Sequence, residues 1–499
     1  VAADDRRLEA QVMGGHAVVA GGSVGGLLAA AALAGTYRRV TVLDRDALPD
    51  GCVERRAVPQ GRHVHALLPR GCAHLESLLP GLGDEMVAAG APTCEALGQL
   101  RWIVDGLELA RAETGLRMVL GSRPFIEGHV RRRVRALPGV ELVPHCEVLD
   151  LVGSGGGVTG VRVLRNGLEQ AIEAELVVCS TGRAAQVPAW LDDLGYAPPR
   201  HERLAVDIRY ASRRLRLAPG ALGGDRMVIV NARPGRARGL ACFAQEDDHW
   251  LLTLVGYGAG HRPPADDRGF LDFAATVAPP DVARAIRAGE PLGPIVTFGF
   301  PASRRWRYDR LAAFPAGLLV TGDAIASFNP LYGQGVTVGA AHAVALRECL
   351  RKGDRALARR FFAAAWKPTD DAWRLATGAD LALPEVRGHR PLPVRAVNRY
   401  VRRLHAVAGH DAVAASAFAK VVTMHERPGH LLRPALALRV WLTSSRWPTW
   451  TSTRSVASSK RGGRARASAW RRSPSVPSSA PLRASASGSA TAPRRRSAG

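Results

Sequence analysis

Two glycine-bearing turns about three hundred residues apart constrain this chain more than any other feature. The first, GGSVGG, joins the apolar run HAVVA to the Ala-rich LLAAAALAG, and RRVTVLDRD follows, ending near Asp44. Strand, glycine turn, helix and strand in that order read as a βαβ unit on a parallel sheet. A dinucleotide turn asks for G-x-G-x-x-G, with one glycine for the bend, one for approach of a pyrophosphate and one for helix packing. Gly21, Gly22, Gly25 and Gly26 meet that demand, and Ser23, at the middle position, is small enough to keep the approach and to bond a phosphate. The helix start behind it offers unpaired N–H groups and a positive dipole end. Asp44, with Arg45 beside it, stands eighteen residues past Gly26, where an acid accepting ribose hydroxyls belongs. A plain packing turn and a strand-end cap would use the same residues.

The second feature, GDAIASFNPLYGQG at 322–335, decides between these readings. The apolar run GLLVT leads into it, and VTVGAAHAVALRECL after it has the look of a helix. An Asp at the end of a buried strand is costly unless something binds it. Both parts make sense if FAD lies between the turns, its adenosine at the first and its flavin at the second. Asp323, after Gly322, would then hold the ribitol hydroxyls. The helix start after Pro330, Gly333, Gln334 and Gly335 would aim N–H groups at the flavin N1–C2=O edge.

The pairing of GGSVGG…LDRD with the late GDAIASFNPLYGQG resembles the glutathione-reductase-type FAD fold of flavin monooxygenases. RRAVPQGRHVHALLPRG, SRPFIE, AELVVCSTGR and DDAWRLATGADLALP are similar to its squalene-epoxidase-like branch, and within it to bacterial polyether and polyketide epoxidases. The resemblance covers residues 14–442. It implies that Arg56, Gln60 and Arg123 lie along the FAD and that Gly182 approaches it through its backbone. The implied reaction inserts one atom of O2 through a C4a-hydroperoxyflavin, by epoxidation or hydroxylation of an apolar polyketide- or terpenoid-like small molecule. The flavin carries the chemistry and no catalytic side chain is named; His63, His65 and Tyr210 are the candidates for the substrate pocket. Cys179 stands where the related strand often carries Asp, and the D-G signature tied to NADPH use is absent. NAD(P)H is therefore the electron source either directly or through a separate flavin reductase. The W-x-W-x-I-P segment of related halogenases is not found. A flavin-dependent reductase or dehydrogenase of an isoprenoid, geranylgeranyl-reductase-like, is the alternative.

The expected fold is α/β: a Rossmann-like FAD-binding domain with an inserted antiparallel β-sheet substrate domain and a C-terminal helical region. The divisions are a leader at 1–15, an FAD domain at 16–95, 119–190 and 301–352, and a β-rich substrate domain at 96–118 and 191–300. Helices then fill 353–442, and a basic tail occupies 443–499. That tail holds twelve Lys or Arg and no Asp or Glu, about half of the formal charge of +24. Its Ser/Arg/Ala/Pro monotony predicts disorder, and a frameshifted reading of a GC-rich gene yields the same composition. The charge therefore argues weakly for nucleic acid, and no nucleic-acid partner is expected. The uncharged run at 17–37 follows acidic residues rather than a basic leader, so no membrane span is expected. Seven scattered cysteines without C-x-x-C spacing point to reduced thiols and a cytoplasmic location, and no metal site is expected. Arg131 to Arg133 and Arg135 read as a solvated helix face, and Trp250 and Trp306 as core.

Overall fold

The computed structural model describes residues 13–444 other than 57 and 155. Most of the predicted leader and all but the start of the predicted tail lie outside the described residues. The expected α/β architecture is what the chain forms. HAVVA lies within the strand Gly14–Ala20, and RRVTVL within Tyr37–Leu43. These β-branched and Ala-rich runs are buried on both faces, as a parallel sheet requires. The sheet has five strands in the order Leu318–Val320, Leu176–Cys179, Gly14–Ala20, Tyr37–Leu43, Val140–Val143, all parallel. Helix Val24–Leu33 packs on one face together with the late helix Gly335–Leu350, and Gly339 comes within contact of Gly25.

A nine-stranded sheet forms a second layer, running from Ala326–Ser327 through Val296–Trp306, His201–Arg216, Trp250–Tyr257, Arg238–Ala244, Met227–Val230 and Leu100–Val104 to Leu107–Glu108, with Glu290–Pro291 paired to His201–Arg216 off this path. It is mixed rather than purely antiparallel, because Leu100–Val104 pairs in parallel with Met227–Val230. Leu100–Val104 comes from the earlier segment of the chain and enters this sheet from the far side of a long connection. The C-terminal part is helical, with Leu357–Asp380, Leu392–Ala408, Ala412–Val422 and Pro434–Ser444. Among the described residues, no helix is long and apolar enough to cross a membrane.

Helix Arg123–Arg135 starts where SRPF predicts. Ser122 caps it by accepting from the Phe125 N–H, and Pro124 sits in the first turn. Its arginine face differs from the expectation. Arg132 is exposed, but Arg131 is one of the most deeply buried large side chains in the molecule. The reason is helical phase: Arg131 follows Glu127 by one turn and shares its inward face.

Candidate functional site

The carboxyl ends of the parallel strands bring distant turns together, the usual place for a ligand on an open α/β sheet. Gly21 follows Ala20 at φ +106, and a Cβ there would stand 2.5 Å from the Ser180 carbonyl of the neighbouring strand's turn. Gly26 has no room for a side chain either, since a Cβ would overlap the Gly21 carbonyl. These two glycines let strand, helix and the Ser180–Gly182 turn close on one another. Gly322 of the late motif comes near the Ser180 hydroxyl in turn. Thus residues 21–26, 180–182 and 322–323 form one cluster.

Around the first turn lies a dense ionic network. Asp44 Oδ2 accepts from the Gly22 N–H at 2.7 Å, and its Oδ1 pairs with Arg55 at 2.8 Å. Arg55 also reaches Glu127 at 2.6 Å and the carbonyls of Gly22 and Ala47. Glu127, 3% exposed, further takes Arg123 and Arg131 at 3.3 Å each and the Ser23 hydroxyl at 2.8 Å. Burial alone would push the Glu127 carboxyl up, but Arg123 and Arg55 outweigh it and hold the group below its ordinary range. Asp46, 3.8 Å from Arg55, completes a balanced set of three guanidiniums and three carboxylates beside the turn. Because the Ser23 hydroxyl is engaged by Glu127 and by Arg123 (2.7 Å), it does not cap its own helix, whose first N–H groups keep no side-chain partner. A shallow, open cleft lined by Val53, Arg55, Val58, Gly61, Arg123, Pro124 and Glu127 lies beside this network.

The late motif is anchored from behind by a residue that the sequence reading passed over. His342 Nδ1 accepts from the Gly322 N–H at 3.1 Å, which places the ring proton on Nε2, facing the Thr369 hydroxyl at 2.8 Å. Thr369 donates onward to the Ala365 carbonyl. Burial pushes this imidazole down to about 4, so it stays neutral and keeps that tautomer. Asp323 is half-buried, and burial raises its carboxyl against the pull of Arg123, Arg183 and Arg304. Pro330 begins a 3₁₀ turn ending at Gly333, at φ +65. Gly333 and Gly335 are exposed, whereas Gln334 is buried with its Oε1 unpaired. The helix Gly335–Leu350 has no side-chain cap.

His63 and Tyr210 meet on the wall formed by the nine-stranded sheet, with ring centroids 5.8 Å apart and Phe298 beside both. His63 Nδ1 lies 2.7 Å from the Ser212 hydroxyl, which is 2.6 Å from that of Thr253. Burial pushes His63 down to about 4. His65 turns its Nδ1 to the His63 carbonyl at 2.9 Å, and burial pushes it down to about 3.

Two of the named arginines reach solvent. Arg45 and Arg56 are exposed; the buried arginine of the loop is Arg55, one residue earlier. Loop residues carry no periodicity from which that choice is readable. Gly182 adopts φ +72 beside the late turn, and Arg183 after it lies over the Phe300 ring at 4.3 Å. The side chain of Gln60 lies outside the described residues. No group of three His, Cys, Asp or Glu residues is placed to hold a metal among the described residues.

No family model matches the sequence. Among solved structures the fold is similar to that of the flavin-dependent brominase Bmp2, with TM-score 0.61, 15% identity and coverage of 86% of this chain and 99% of that one. It is also similar to the p-nitrophenol 4-monooxygenase PnpA of Pseudomonas putida, with TM-score 0.59, 18% identity and coverage of 83% and 96%. A flavoprotein/dehydrogenase of Cytophaga hutchinsonii aligns with TM-score 0.62 and 14% identity, over 86% and 99%. These establish that the chain shares the fold of these proteins. In sequence, Protein Rv3254 of Mycobacterium tuberculosis is 35% identical over 405 residues, covering 76% of this chain and 82% of its own length. At that identity and coverage the chain belongs to the family of Protein Rv3254.

Proposed function

We propose that the chain is an FAD-dependent monooxygenase that epoxidises, or hydroxylates, an apolar polyketide- or terpenoid-like small molecule. One observation carries the reading: turns from residues 21–26, 180–182 and 322–323 converge at the carboxyl ends of the parallel strands, and two uncapped helix starts serve them. The residues fit the group. Gly21 and Gly26 leave backbone where a Cβ would intrude, the first helix keeps free N–H groups for a pyrophosphate, and Arg123 adds positive charge. Asp44, held by Arg55 and the Gly22 N–H, would accept the ribose hydroxyls, and Asp323 the ribitol hydroxyls. Gly333, Gln334 and Gly335 would meet the ring edge; the unpaired Gln334 Oε1 is an acceptor suited to a ring N–H.

When bound, reduced FAD supplies the activation of O2. The chain's own residues then bind, orient and exclude water. The uncapped N-terminus of Gly335–Leu350 favours negative charge on the ring edge. In this reading 16–95, 119–190 and 301–352 hold the cofactor, and 96–118 with 191–300 wall the substrate. His63, His65 and Tyr210 would stand on that wall, with His63 neutral and suited to hydrogen bonding rather than ion pairing. Electrons come from NAD(P)H, directly or through a partner reductase. Seven unpaired cysteines support a reducing cytoplasm.

The test is the visible spectrum of the purified protein, then turnover under ¹⁸O2. Bound FAD and one ¹⁸O atom in the product are expected. A colourless protein that takes up no FAD overturns the reading. Oxygen-independent turnover would assign the reductase or dehydrogenase chemistry instead.

A further inference from the structure

One carboxyl draws together four separate parts of the chain behind the late motif. The strand register sets Tyr210 opposite Val255 and Phe298, and Tyr257 opposite Ile208, so both tyrosines share one face of the nine-stranded sheet. Asn329, two residues before Leu331, lies against that face. Its Oδ1 accepts from the Tyr210 hydroxyl at 3.0 Å and the Leu331 N–H at 3.1 Å, which fixes the direction of the amide. Its Nδ2 donates to Asp380 Oδ1 at 2.8 Å and to the Tyr257 oxygen at 3.1 Å. Asp380 Oδ1 takes two further donors, the hydroxyls of Tyr332 at 2.9 Å and Tyr257 at 3.2 Å. Asp380 is fully buried, and its Oδ2 has no hydrogen-bond partner.

The position is a poor one for an anion. Asp380 ends the helix Leu357–Asp380, where the carbonyl dipoles already point negative. Arg390 turns to carbonyls at and beyond the helix end, those of Leu381, Leu383 and Val386, rather than to the carboxyl. Nearby, His261 and Glu385 pair with each other at 3.9 Å. The three tyrosines facing Asp380 are held neutral by burial. An apolar residue would fill the place at lower cost, so the network is explained by what it positions.

We propose that Asp380 is a positioning residue for the segment Asn329–Gly335, clamping the start of helix Gly335–Leu350 where the flavin ring would lie, and that its proton sets how tightly the clamp holds. The inference rests on the flavin reading. Loss of the proton turns three neutral hydrogen bonds into charge-assisted ones, tightening Asn329, Tyr257 and Tyr332 together. Gain of the proton relaxes them. Burial pushes the group up to about 7 against the donors from Asn329, Tyr332 and Tyr257, so the change falls in the working range of a neutral cell.

The experiment follows the absorbance of oxidised FAD in the holoprotein from pH 5.5 to 8.5, with thermal unfolding in parallel, for wild type and Asp380→Asn. The asparagine keeps the shape of the neutral acid and does not titrate. Wild type is expected to inflect near pH 7 in both measurements, and the variant in neither. Tyr332→Phe removes one donor to the anion and should move the inflection upward by about half a pH unit or more. It serves also if the asparagine variant does not fold. Bound flavin whose absorbance shows no inflection in wild type, or the same inflection in both variants, overturns the inference and leaves the flavin reading standing. A protein that binds no FAD overturns both.

Discussion

Glu127 and Asp380 are equally buried carboxyls in one chain, yet their surroundings drive them in opposite directions. Glu127 meets three guanidiniums and stays ionised; Asp380 meets three neutral donors and no cation, and its proton is retained to near neutrality. Desolvation is common to both, so the partner decides. A carboxyl with paired cations becomes a fixed part of the framework, while one with neutral donors keeps a choice of state. The first lies beside the glycine turn, which must hold a constant shape. The second lies behind a loop that ends at a helix start.

The sharpest way to break that contrast is Glu127→Ala. It leaves three buried or half-buried arginines without their shared counter-charge, and a loss of about 3–5 kcal/mol is expected in urea unfolding. A loss below about 1 kcal/mol would mean the network is spare. The matching change on the other side is Asp380→Asn. An acid whose folded value lies above its unfolded one binds extra protons when folded, so stability is full below pH 4 and declines as pH rises to about 7. Wild type should lose on the order of 2–4 kcal/mol between pH 4.5 and 8 from this group, and the variant should lack that loss.

Asp323 stands between the two extremes, raised by burial while three arginines act on it from a distance. Asp323→Ala should weaken FAD binding about 10- to 100-fold, as loss of a charged hydrogen-bond acceptor implies, read by fluorescence titration. Unchanged affinity would place the ribitol elsewhere. The smallest effect sharpens the role of partners within a single loop. Arg56→Ala should shift stability by less than about 0.5 kcal/mol, because the side chain is exposed, while Arg55→Ala removes the buried cation that Asp44 and Glu127 share and costs several times more.

The parallel sheet was readable because its signals are local: apolar runs, a glycine turn, an acid at the next strand end. Phase explains much of what was missed and shows where to look. Arg131 sits one turn from Glu127, and Glu127 one turn from Arg123, so the inward face was written in the spacing. His342 lies midway between the buried Val338 and Leu346. Asp380 continues a buried stripe through Ala365, Thr369, Ala372 and Ala376. In each case a polar residue in phase with an apolar stripe marked a partnered buried group. The choice of Arg55 over Arg56 had no such trace, since an irregular loop obeys no period. The parallel pairing of Leu100–Val104 is likewise set by contacts far along the chain.

The convergence of residues 21, 180 and 322 also has a consequence for biogenesis. A ribosome adds roughly 5–20 residues per second, so the glycine turn leaves synthesis some 15–60 seconds before the late motif exists. From its own synthesis until roughly 140 residues later, about 7–28 seconds at that rate, the edge of Leu176–Cys179 that will receive Leu318–Val320 has no partner from this sheet. The nascent chain therefore carries this open parallel edge while the intervening segment is made, a period in which chaperone cover or misassembly is decided. A cofactor meeting the chain early would find only the adenosine half of its seat, and capture becomes tight only once the last strand has docked.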